Sequence, residues 1–280
     1  MSTTTVVSTG RRPSVSPLKQ ILRLTRTEFT LFVRYKTAWM FLFLPLLFAF
    51  LALQMPNDEV LPGFGMAEMV MLSMMGAISL VLGLGHVSNV FTARRESLVL
   101  KRFRVSGVPQ VVIFGGIIGV VTVFSLFIAV IMGGLILMMP SGALPRDPLM
   151  LLVAIVLGSI AFSLMGVLIT PLVRNAESAQ MVVMVPMMIL LFASGGIFSL
   201  EFLPEGARQV MSLVPSVPPG EMVQAAYTGH DVFGGSAGAQ ERSYLGLWGA
   251  ALPSLGVMLA WIVLLALAVR RFFRWDPRQP

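Results

Sequence analysis

Arg94-Arg95-Glu96-Ser97-Leu98-Val99-Leu100-Lys101-Arg102-Phe103-Arg104 is a cationic, amphipathic run set between two long apolar stretches. Charge at this density does not cross a bilayer, so the run fixes which ends of the neighbouring segments face the cytosol. It also offers a short helix to a soluble partner beneath the membrane. Gly107-Val108-Pro109 supplies a stop before the next apolar stretch. From composition alone, a topology anchor held by lipid phosphates and a docking element fit the run equally well.

Outward from this run, apolar blocks near 37–55, 66–90, 110–139, 149–172, 179–200 and 246–269 are each about long enough to span hydrocarbon. The block at 37–55 follows basic residues like a signal peptide. It is longer than a signal's apolar core, lacks a small-residue cleavage site and precedes five more blocks, so a retained span is expected. With the N-terminus inside, Arg11, Arg12, Lys19, Arg23, Arg26, Arg34 and Lys36 precede the first span. Five more cations lie in the Arg94–Arg104 run, Arg174 lies in the next inner connection, and Arg270, Arg271, Arg274 and Arg278 lie in the tail. Only Arg146, Arg208 and Arg242 fall outside. This asymmetry predicts cytosolic termini.

The chain has 280 residues, 56% hydrophobic and 12% charged, with mean hydropathy +0.86. A soluble domain carries about twice that charge. The net charge of +7 lies beside the spans rather than on one face, so nucleic acid is not the expected partner. The absence of cysteine excludes disulfides and thiolate metal sites. Residues 1–16 are Ser/Thr-rich and expected to be disordered. Ser16-Pro17 then reads as a cap with proline at the first helical position. Leu18, Ile21, Leu22, Thr25, Phe29, Phe32 and Val33 form an apolar stripe over 17–36, which predicts an amphipathic helix in the headgroup region.

The expected fold is therefore an all-α integral membrane protein. An interfacial helix over 17–36 precedes a six-helix transmembrane domain over 37–269, and a cytosolic tail covers 270–280. The outer connection from 201 to 245 is the longest, and its Phe202-Leu203-Pro204 and Leu213-Val214-Pro215 predict short helices at the outer leaflet.

Chemistry is sparse. No Gly-Lys pair occurs, so the chain has no phosphate loop, and neither H-E-x-x-H nor G-x-S-x-G appears. Catalysis by this chain alone is not expected. A helix over 66–90 is about 38 Å long against a ~30 Å hydrocarbon layer, which places Glu68 at the outer headgroups. His86, near the cytosolic end, is expected to be a packed residue rather than a proton relay. The lack of a buried acid–base series disfavours an ion-coupled carrier. Gly115 and Gly119 form a G-x-x-x-G that permits close helix approach, including dimerisation.

The chain from Leu18 onward resembles the type-2 ABC exporter permeases, nearest to the daunorubicin-resistance permease group. In that family the loop after the second span reads approximately Arg-Glu-x-Gly-Thr-Leu-Lys-Arg-Leu-Arg, then a proline. Arg95-Glu96 matches its start, Leu100-Lys101-Arg102-Phe103-Arg104 its basic core and Pro109 its close. Leu98-Val99 departs from the usual Gly-Thr. The Leu213-Val214-Pro215 and Tyr227 region resembles the family's outer re-entrant segment.

The resemblance implies a permease subunit of an ATP-driven exporter in the bacterial plasma membrane, moving a hydrophobic or amphipathic substrate. It implies no cofactor on this chain, with ATP and Mg on two copies of a separate ABC-type ATPase, and a second permease copy, identical or related. It assigns coupling to Arg95, Glu96, Leu100, Lys101, Arg102, Phe103 and Arg104, and an outer gate to Leu203, Pro204, Pro215 and Tyr227. An ion-coupled transporter and a non-transporting membrane assembly factor are the alternatives.

Overall fold

A computed structural model describes residues 16–34, 37–54, 58–194, 204–236 and 238–273. Residues 1–15 of the expected tail over 1–16, Leu203, and residues 274–280 of the expected tail over 270–280 lie outside these. Helix α1 covers Pro17–Arg34 and α2 covers Thr37–Ala52. A short hairpin, β1 (Glu59–Leu61) and β2 (Phe64–Gly65), follows in the connection from α2 to the next helix. Pro62-Gly63 turns it, with Gly63 at φ +80°, the geometry that a proline–glycine turn requires.

Helix α3 (Met66–Val81) runs through a π-helical turn (Leu82–His86) into α4 (Val87–Glu96), making one long helix. The sequence places its end near residue 90. The helix instead continues to Glu96, where Arg94 and Arg95 find partners that permit the partial burial of the first and the full burial of the second. Then come α5 (Val99–Val105), α6 (Gln110–Leu137), α7 (Pro148–Ile169, with a 3-10 turn to Leu172) and α8 (Ala176–Ala193). Two short helices, α9 (Glu205–Met211) and α10 (Val217–Thr228), precede α11 (Tyr244–Phe272). Among the described residues, five helices are long and apolar enough to cross a membrane, and six if the bent pair α1–α2 counts as one span. The fold is all-α in its membrane part, as the hydropathy predicts.

Local chemistry sets the helix starts. Asp147 accepts the Met150 N–H at 2.9 Å with Pro148 in the first turn, and Asn175 accepts the Ser178 N–H at 2.8 Å. Glu68 reaches back to accept the Gly65 N–H at 2.9 Å, so this acid at the N-terminal end of α3 caps its own helix.

The Met66–Glu96 helix is central. Leu72, Met75, Leu80 and Leu84 on it are fully buried, with α2, α6, α7, α8 and α10 around it. Much of α8 and α11 turns apolar side chains such as Met181, Val185, Ile189 and Leu264 outward. Two close approaches position the helices. A Cβ at Gly83 would stand 2.6 Å from Phe162 Cβ, and one at Gly166 would stand 2.3 Å from the Gly83 carbonyl oxygen. The π turn therefore rests directly on α7, and only glycine fits there.

The G-x-x-x-G of α6 is used within the chain. A Cβ at Gly115 would meet Ile21 at 3.1 Å and one at Gly119 would meet Thr25 Oγ1 at 2.3 Å, while at the intervening Gly116 a Cβ would meet Leu24 at 2.6 Å and the carbonyl accepts from Thr25 at 3.2 Å. The motif brings α1 onto α6. Helix α1 is also turned relative to the expected stripe. Ile21, Leu24, Thr25, Glu28 and Phe32 face inward, whereas Leu18, Leu22 and Val33 are exposed.

Candidate coupling site and outer segment

The cationic run divides at Ser97. Arg94, Arg95 and Glu96 form the last turn of α4, and Lys101, Arg102 and Arg104 belong to the separate helix α5. The break is sharp because Leu98 is left-handed, at φ 59°, and is the sole non-glycine residue with positive φ among the described residues. This is the position where the resembling family carries glycine. A left-handed leucine costs about 1–2 kcal/mol. Gly107, at φ +75°, ends α5, and Pro109 caps α6.

The predicted coupling residues split into two groups. Arg95 is 1% exposed and donates through Nη2 to the Val173 carbonyl at 2.5 Å. Leu100 is fully buried, and Phe103 packs on the same core. These three hold α5 to the body, and the Arg95 guanidinium is turned into the chain. Glu96, Lys101, Arg102 and Arg104 are exposed. Leu98, Lys101, Arg102, Val105 and Ser106 line a shallow open groove, with Val105 82% exposed. The arrangement offers a cationic rim around apolar contacts, which suits an acidic-rimmed apolar partner surface.

Arg94 forms an ion pair with Glu28 of α1, their side chains 17% and 10% exposed. The end of α4 is further fixed by an aromatic trio in which Phe91 lies 5.3 Å from Phe114 and 6.0 Å from Phe273. Asn89 donates to the Ala176 carbonyl at 3.3 Å, tying α4 to α8. His86 is packed edge-on to Phe32 at 4.5 Å, as the packed reading expects. Sequence reasoning passed over Glu28, although its signal was there: it is the one acid in an otherwise basic helix.

The predicted gate residues are dispersed. Pro204 is exposed at the start of α9, Pro215 is buried in the turn before α10, and Tyr227 is buried near the C-terminal end of α10. Tyr227 wedges against α6, where a Cβ at Gly133 would stand 2.5 Å from its hydroxyl. Helix α10 packs on α3, α7 and α11. Its N-terminal half reaches along α3: a Cβ at Gly76 would stand 2.7 Å from Gly220 Cα, and Gly76 lies about 15 Å along α3 from its first residue. The Asp147 N–H donates to the Ala226 carbonyl at 2.9 Å at the other end.

A strap covers this segment. Glu221 accepts the Gly234 N–H at 3.0 Å and Arg208 donates to the Gly234 carbonyl at 3.4 Å. Arg242 pairs with Asp231 at 3.3 Å, and Arg146 pairs with Glu241. The Arg146 hydrogen bond and charge hold the exposed Glu241 carboxyl below the usual carboxylate range.

The sequence profile of the family described as ABC-2 family transporter protein matches residues 54–270. No curated protein matches the chain.

Proposed function

Because the chain belongs to the ABC-2 transporter family, as the multi-pass membrane subunit rather than a catalytic one, we propose that α5 is the surface through which it draws on ATP hydrolysis to export a hydrophobic or amphipathic substrate. An ABC-type ATPase partner follows from the family in general. The finer reading is two ATPase copies carrying ATP and Mg beneath two permease copies in a bacterial plasma membrane, with both termini cytosolic. Likeness to the daunorubicin-resistance group belongs to the same proposal.

The observation that carries it is the pairing of an exposed groove with a braced base. Leu98, Lys101, Arg102 and Val105 face outward, while Arg95, Leu100 and Phe103 anchor the same elbow inward. A force on α5 then meets a stiff connection to the central helix. At the outer end, Pro204, Pro215 and Tyr227 shape the exit path, and Leu203 joins them on the resemblance alone.

The test is a permease–ATPase complex reconstituted in liposomes. Charge reversal at Glu96 or Arg102 is expected to lower substrate-stimulated ATP hydrolysis while membrane insertion stays intact. Unchanged stimulation in both variants removes the coupling assignment. Transport that survives ATP depletion and collapses with the proton gradient replaces this reading with an ion-coupled carrier.

A further inference from the structure

Two consecutive arginines at the cytosolic end of the central helix hold two different neighbours. Arg94 pairs with Glu28 on α1. Arg95 donates to the carbonyl of Val173, the residue that caps the 3-10 turn after α7 and leads into the Asn175 cap of α8. Adjacent helical residues point about 100° apart, so the two guanidinium groups reach opposite flanks of one helix turn.

Each tie leads into a stiff element. Helix α1 is seated on α6 by the glycine contacts at Gly116 and Gly119 and by the Thr25 hydroxyl. On the other flank, Asn89 reinforces the link from α4 to the start of α8. Both ties are charge-assisted and shielded from bulk water, which makes them stronger and less salt-sensitive than surface pairs. Helix α5 begins within a few residues and is hydrogen-bonded back to this turn: the Leu98 N–H donates to the Arg95 carbonyl at 3.2 Å, and the Arg102 N–H to the Leu98 carbonyl at 3.1 Å.

We infer that Arg94 and Arg95 are positioning residues that divide a displacement of α5 between two helix groups, α1–α6 through Glu28 and α7–α8 through Val173. The link is mechanical. Its use in transport rests on the proposed function, in which α5 receives the ATPase.

The natural chain contains no cysteine, so paired spin labels are placed without background in the full chain in lipid nanodiscs. Labels at Leu18 and Val105 report α1 against α5, and labels at Val105 and Glu177 report α5 against α8. Glu28→Gln is expected to replace the narrow Leu18–Val105 distance with a broad distribution and leave Val105–Glu177 narrow. Arg95→Lys, which keeps the charge and shortens the reach, is expected to do the reverse. The exchanged pair Glu28→Arg with Arg94→Glu restores the narrow Leu18–Val105 distance. Joint broadening of both distances in either variant, or no change in Glu28→Gln, overturns the division. Should Arg95→Lys elute as aggregate, the Glu28→Gln arm and its exchange partner decide alone.

In the complex with its ATPase, Glu28→Gln is expected to lower substrate stimulation about fivefold or more with ATPase affinity unchanged. Full stimulation in that variant overturns the transport role of the link. A native complex without any stimulation refutes the proposed function instead, and leaves the distance result standing.

Discussion

Gly76 of α3 and Gly220 of α10 meet backbone against backbone, so closely that a Cβ on Gly76 would stand 2.7 Å from Gly220 Cα. Nothing flexible lies between them to give way. Gly76→Val is therefore expected to push α10 outward and destabilise the fold by about 1–3 kcal/mol. Thermal unfolding in detergent checks the stability. Accessibility of a cysteine at Gln224, whose amide donates to Ser73 Oγ at 2.8 Å, checks the displacement.

Leu98 sits in a conformation that glycine adopts without penalty, yet it lines the α5 groove. Leu98→Gly is expected to raise stability by about 1 kcal/mol through relief of backbone strain. The same change removes an apolar contact, so ATPase affinity should fall. Melting temperature and partner affinity measured on the same preparation check the opposite signs. A fall in both excludes strain relief as the larger effect.

Gly119 faces Thr25 within the chain. Gly119→Leu is expected to detach α1 from α6, exposing α1 to protease, with the oligomeric state unchanged. Loss of oligomer without increased cleavage restores the dimer reading of the G-x-x-x-G motif.

Glu241 and Arg146 form an exposed ion pair between the connection before α11 and the one before α7. Arg146 lowers the Glu241 carboxyl below its ordinary value of 4.5. The pair therefore stabilises the folded strap above that value and ceases to do so as pH falls through the lowered one. Its contribution is small because both groups are solvated. Protease cleavage of the 229–243 connection should rise modestly in strong acid, and Arg146→Gln should bring native cleavage to that level at neutral pH.

The spans were legible because apolar runs of sufficient length have few other uses, and Ser16-Pro17 marks the start of α1. The Arg94–Arg104 run was harder. Charge alone reads it as one loop element, whereas helix continuity depends on what neutralises each charge. Glu28 and the Val173 carbonyl do that for Arg94 and Arg95, and both are distant in sequence. The G-x-x-x-G of α6 announces a close approach but not the partner, so α1 was not identifiable from α6 alone. The π turn at Leu82–His86 leaves no pattern beyond Gly83 and Gly85, and its shape is set by the contact of Gly83 with α7. Among the gate residues, Tyr227 depends on Gly133, more than ninety positions away, for its packing.

The most direct test of the account is cross-linking from α5 itself. Val105→Cys, at an 82% exposed position, carries a photoactivatable cross-linker in the full chain co-expressed with its ATPase. A second chain carries the same group at Ser236, in the outer strap. The account predicts a covalent permease–ATPase adduct from Val105 and none from Ser236. Absence of an adduct from Val105 in a complex that still co-purifies would contradict it.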